Sequence, residues 1–114
     1  MISDFISFSD FNKVDIRVGT IIEAEENNTL RKPAMILKID FGETIGIKKS
    51  SAQLKANYSI EQLINKQILA VVNFKPKQLG NLISEVLVLG IPDANFEPVL
   101  VLPISKVKNG GKLY

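Results

Sequence analysis

Residues 14–25 alternate apolar and polar with a period of two. Val14, Ile16, Val18, Thr20, Ile22 and Ala24 fall on one parity, with Asp15, Arg17, Gly19, Glu23 and Glu25 on the other. That spacing predicts a long, half-buried β-strand. A strand of this length twists, and Gly19 near its middle is where a bend or bulge is expected. Ser9-Asp10-Phe11-Asn12-Lys13 ahead of it predicts a single helical turn with a Ser/Asp cap. Asn27-Asn28-Thr29 and Pro33 bracket a loop. Residues 34–41 alternate again with Met35, Leu37, Ile39 and Phe41 inward, Gly42-Glu43 reverses the chain, and residues 44–49 return with Ile45 and Ile47 as the apolar pair. Ile60, Leu63 and Ile64 behind Ser59 predict a short capped helix. Three more strands are expected at residues 67–74, 84–90 and 99–104, with a last turn at Asn109-Gly110. Strand, hairpin, short helix, strand, strand is the order of an all-β OB-fold, a five-stranded barrel with a helix between strands three and four. The sixth strand is an extension to it.

The 114 residues are expected to form a single domain, with 46% hydrophobic side chains to fill one core. No His and no Cys occur in the sequence. A Ser-His-Asp triad, a thiol redox pair and a zinc site of the usual N/S kind are thereby excluded, and the expectation is a protein that is not an enzyme and carries no cofactor or metal. Met1-Ile2-Ser3-Asp4-Phe5 lacks the basic and apolar regions of a signal peptide. No apolar run approaches the roughly 18 residues of a membrane span, so no membrane insertion and a cytoplasmic location are expected. Net charge is +2, but residues 44–84 carry six Lys against Glu61 alone. A basic central third predicts a face for anionic groups.

Several runs carry a resemblance. Phe11-Asn12-Lys13-Val14-Asp15-Ile16-Arg17-Val18-Gly19-Thr20-Ile21, Val71-Val72-Asn73-Phe74-Lys75-Pro76 and Ser84-Glu85-Val86-Leu87-Val88-Leu89-Gly90 resemble successive blocks of the tRNA-binding domain family. That family includes the domain appended to many methionyl-tRNA synthetases. Ile39-Asp40-Phe41-Gly42, Ile45-Gly46-Ile47-Lys48-Lys49-Ser50-Ser51-Ala52-Gln53 and Leu63-Ile64-Asn65-Lys66-Gln67 are similar to its stand-alone, secretion-associated CsaA-type chaperone branch. The resemblance implies a homodimeric OB-fold, built with N- and C-terminal additions, that binds unfolded or precursor polypeptides. tRNA is the alternative ligand.

The residue pattern and the resemblance together give the candidate binding residues. Lys48, Lys49, Ser50, Ser51 and Gln53 leave the third strand where an OB barrel presents its ligand, offering ammonium groups, hydroxyls and an amide. Asn73 and Phe74 end the fourth strand. Lys75 and Lys77 flank Pro76 in the loop between strands four and five, followed by Gln78. Gln78 and Ile83 stand where the family carries cations, and Leu82 where it carries an aromatic ring. The Leu79, Leu82 and Ile83 stretch therefore suits an apolar peptide groove better than stacked bases. Ser84 and Glu85 complete the set at the start of the fifth strand.

Overall fold

The computed structural model describes residues 4–28 and 33–114. The expected loop at residues 29–32 and the N-terminal Met1-Ile2-Ser3 lie outside the described residues. In chain order the elements are α1 (Phe8–Asn12), β1 (Ile16–Asn27), β2 (Ala34–Asp40), β3 (Ile47–Ala52), α2 (Ile60–Leu63), β4 (Gln67–Val71), β5 (Lys77–Leu79), β6 (Leu82–Ser84), β7 (Leu87–Val88), β8 (Gly90–Pro92) and β9 (Pro98–Leu100). The cap of α1 is Ser7, whose side chain accepts the Asp10 N–H, two residues earlier than the expected Ser9.

The long alternating segment is the axis of a curled five-stranded sheet of order β3-β2-β1-β4-β7. One half of β1 pairs antiparallel with β4 and the other half with β2. The pairing steps from Ile21 opposite Ile39 to Glu23 opposite Lys38, leaving Ile22 as an extra, exposed residue. The bulge therefore lies at Ile22 and not at Gly19, and it shifts the parity of the strand. Ile21 is fully buried in the main core, whereas Val18 is buried outside that cluster, against Gly111. Gly19 has a different role: a Cβ there would stand 2.6 Å from Ile39 Cγ2 and 2.7 Å from the Phe41 ring. Its missing side chain lets those two core residues cross the strand.

Met35, Leu37, Ile39 and Phe41 all point into the core as their alternation requires. The return strand begins at Ile47, later than expected, because residues 41–46 form a wider turn. Within it Gly42 and Gly46 take positive φ (90° and 83°), and the Gly46 N–H donates to the Gly42 carbonyl at 2.7 Å. Helix α2 closes one end of the core with the wholly buried Leu63. It starts with a reciprocal capping box between Ser59 and Gln62.

Beyond Pro76 the structure departs from a simple strand pair. The expected loop contains the hairpin β5–β6, joined by Gly80-Asn81 with Leu79 opposite Leu82. The expected fifth strand is reduced to β7, and β8 and β9 form a separate hairpin. The sheet closes where the chain leaves β6. The Glu85 N–H donates to the Lys49 carbonyl at 2.8 Å, and the Lys49 N–H donates to Glu85 Oε1 at 3.0 Å. The C-terminal segment then runs beside β1, Val18 donating to Gly111 and Leu113 to Ile16. No helix of the described residues is long and apolar enough to cross a membrane.

Candidate ligand-binding cleft

Three pieces of chain meet at the closure of the sheet: the outer side of β3, the segment after β4, and the β5–β6 hairpin with its exit into β7. Between them lies a cleft of about 480 Å³. Its apolar wall is made by Phe74, Leu79, Val86 and Leu87. Val86 is 6% exposed and belongs to the main core, so this wall continues the core outward, while Phe74 and Leu87 stay about half exposed. Ser51, Ser84 and Glu85 form the polar side, with Lys75 and Lys77 at the mouth.

The local sequence explains how these groups are held. β4 stops at Val71, and Asn73 fastens the stretch of chain beyond it. Its Nδ2 donates to the Lys13 carbonyl at 2.7 Å and its Oδ1 accepts the Asp15 N–H at 2.9 Å. That clamp seats Phe74 beside the cleft, and Pro76 stiffens the step to Lys77. The hairpin carries Lys77 and Leu79 opposite Ser84 and Leu82. Ser84 Oγ in turn accepts the Ser51 N–H at 3.1 Å, tying the hairpin to β3.

The structure brings Ser51, Phe74, Lys75, Lys77, Ser84 and Glu85 to this one cleft. Lys48 stands beside it, its Nζ 3.9 Å from Glu85 Oε2. Lys49 is exposed on β3. Among the described residues neither Lys49, Lys75 nor Lys77 has a carboxylate within ion-pair distance. The remaining candidates lie elsewhere. Ser50 is wholly buried and donates to the Val86 carbonyl at 3.1 Å. Both ends of the Asn73 amide are engaged by backbone. Gln78 donates to the Gly80 carbonyl at 2.6 Å, within its own turn. Leu82 is 7% exposed and faces the protein interior, and Ile83 opposite it in parity is half exposed. Gln53 borders a separate hollow of about 210 Å³ beside Leu87 and Leu100. Sequence reasoning missed Val86 and Leu87, which read as strand core; no sequence signal marks them, because β7 is only two residues long, too short for a period to be read.

A larger hollow of about 650 Å³ lies between the β2–β3 turn and the C-terminal segment. It contains none of the candidates, and Arg17 on its wall is engaged by Asp15 at 2.6 Å and by the Gly110 carbonyl at 2.9 Å. Chemically, the cleft at the sheet closure combines apolar area with the ammonium groups of Lys75 and Lys77, which have no carboxylate partner among the described residues. It can seat an apolar side chain and hold an acidic group at its mouth.

Residues 16–112 match the model of the family described as "Putative tRNA binding domain". The methionine–tRNA ligase of Pyrococcus horikoshii is 34% identical over 110 residues, which is 96% of this chain, and the chain spans about 15% of the length of that ligase. Among the solved structures, two CsaA chaperones match over the whole of their own chains. The chaperone CsaA of Bacillus anthracis is 47% identical over 97% of this chain at a TM-score of 0.89. The CsaA chaperone protein of Picrophilus torridus is 49% identical over 96% of this chain, also at 0.89. The chain belongs to the tRNA-binding domain family, with the CsaA chaperones among its structural relatives.

Proposed function

We propose that this chain is a cytoplasmic, non-catalytic chaperone module that captures extended segments of unfolded or precursor polypeptides in the cleft. The observation that carries this reading is the pairing of the apolar wall of Phe74, Leu79, Val86 and Leu87 with Lys75 and Lys77 at the mouth. The likeness to two CsaA chaperones supports it. A client combining apolar and acidic side chains fits such a site. Seating one apolar side chain contributes about 1.5–3 kcal/mol, so a single cleft captures weakly and reversibly. A homodimer presenting two clefts raises the effective strength without new contacts. What supports the dimer is the apolar surface of the terminal segments: α1 buries none of its residues, and Phe5, Phe8, Ile104 and Tyr114 are almost wholly exposed.

The test is suppression of aggregation of a chemically denatured client at stoichiometric ratio. Wild type delays aggregation and Leu79→Asp abolishes the delay while remaining folded. No delay by wild type sinks the reading.

A second reading, tRNA binding, is favoured by the family match together with Lys49, Lys75 and Lys77, which carry no ion partner among the described residues. It predicts tRNA affinity that falls steeply with salt and drops on Lys75→Ala and Lys77→Ala together. Only Phe74 gives the cleft an aromatic ring, and base stacking contributes on the order of 1–3 kcal/mol per base. That scarcity ranks polypeptide capture first.

A further inference from the structure

Glu85 stands at the meeting point of everything that shapes the cleft. Its Oε1 accepts the Lys49 N–H at 3.0 Å and its own N–H donates to the Lys49 carbonyl at 2.8 Å. Its Oε2 lies 3.9 Å from Lys48 Nζ. One step earlier, Ser84 Oγ accepts the Ser51 N–H. On this edge of β3 a serine hydroxyl and a carboxylate thus stand where the carbonyls of a neighbouring strand would, and they hold the β5–β6 hairpin over the cleft. The same carboxylate lines the cleft and is partly shielded from water, with its side chain about one third exposed. It therefore cancels the charge of one lysine and repels any anionic group seated beyond the rim.

We propose that Glu85 sets the charge selectivity of the cleft. It occupies Lys48 and presents a negative group to the ligand, so that an apolar segment with an acidic residue at its edge is accepted and a polyanion is disfavoured. This assignment rests on the cleft being the ligand site of the proposed function, and it names what that site rejects. The closing role of Glu85 and its charge are separable. A glutamine keeps an oxygen for the Lys49 N–H but loses the charge, whereas an alanine loses both.

The experiment compares wild type, Glu85→Gln, and Glu85→Gln combined with Lys48→Met against two probes, a single-stranded oligonucleotide and an uncharged peptide carrying phenylalanine. Glu85→Gln is expected to bind the oligonucleotide several-fold more tightly at low salt. Its dependence of log affinity on log salt steepens by about 0.7, the value for one added phosphate contact on a single strand. Adding Lys48→Met returns the slope to that of wild type. Affinity for the uncharged peptide changes less than affinity for the oligonucleotide, since apolar contacts are indifferent to the charge. Amide exchange at Lys49 stays slow in Glu85→Gln and becomes fast in Glu85→Ala, which separates the fastening role from the charge. Should the alanine variant not fold, the glutamine variant carries the test by itself. An unchanged slope in Glu85→Gln, a steeper slope that Lys48→Met leaves in place, or an oligonucleotide that binds neither form overturns the proposal. If the slope steepens while no form binds the peptide, the polypeptide reading falls and the charge assignment stands.

Discussion

Ser50 and Ser51 are neighbours with the same hydroxyl and opposite surroundings. β3 turns Ser50 inward, where its Oγ donates to the Val86 carbonyl, and turns Ser51 to the cleft. Removing the Ser50 hydroxyl leaves that carbonyl only the longer bond from the Ser84 hydroxyl at 3.4 Å, which costs about 1 kcal/mol. Ser50→Ala is accordingly expected to lower the urea midpoint while leaving peptide and oligonucleotide affinity unchanged. A large affinity loss at unchanged stability would place Ser50 in the ligand site instead. The residue types of the candidate site were legible in the sequence, but their facing was not. Asn73, Ser50 and Gln78 are polar residues of the kind a ligand wants. Each is engaged by a backbone group from a segment the sequence does not place beside it, except Gln78, whose partner is its own turn. Leu82 makes the same point from the apolar side: it is buried, while its partner across the hairpin, Leu79, lines the cleft, so Leu79 and not Leu82 is the residue to mutate there.

Elements with a long period were legible, and short ones were not. β2 shows its inward face through Met35, Leu37 and Ile39 in strict alternation, continued by Phe41 just beyond it, and α2 through a cap three residues before its partner glutamine. β1 shows its existence but hides its bulge, because Ile21 and Ile22 are both apolar and either continues the alternation. β5, β6 and β7 are two or three residues each, below the length at which a period can be read. At Gly19 the crossing of Ile39 and Phe41 predicts that even alanine is too large. Overpacking of this kind costs about 1–3 kcal/mol, read as a lowered urea midpoint for Gly19→Ala; a midpoint equal to wild type would mean the strand gives way. The β8–β9 connection has its own signature. The Asn57 side chain, the Glu97 N–H and the Asn95 N–H all donate to Asp93 and hold its carboxyl below the ordinary value of 3.8. A depressed carboxyl favours the folded loop above its unfolded value and loses that contribution as pH falls through the folded one. The protection of the Asn95 and Glu97 amides, measured against their intrinsic exchange rates, should therefore hold from neutrality down to the ordinary carboxylate range and be lost only below it.

Apolar side chains near both ends of the chain, Phe5, Phe8, Ile104 and Tyr114, are among the most exposed of the molecule. Phe5 is 99% exposed and Phe8 is 87% exposed, on a helix that buries nothing of its own chain. In the proposed dimer a second copy covers that surface, giving two clefts per particle. Sedimentation should then show twice the mass of one chain, and Phe8→Asp should shift the population toward monomer and weaken capture of long unfolded clients more than of short peptides. A wild type that sediments as one chain at micromolar concentration contradicts the dimer and leaves the cleft as a single weak site.

In the proposed function, polypeptide is held between Phe74, Leu79, Val86 and Leu87 with Lys75 and Lys77 at the mouth. Amide chemical shifts of the isotope-labelled protein, titrated with an unfolded peptide bearing one aromatic and one acidic residue, test it most directly. Saturable shifts are expected at residues 74–79 and 84–87, with residues 42–45 and 108–111 around the larger hollow unmoved. Shifts gathered at that larger hollow, or none at millimolar peptide, would contradict it.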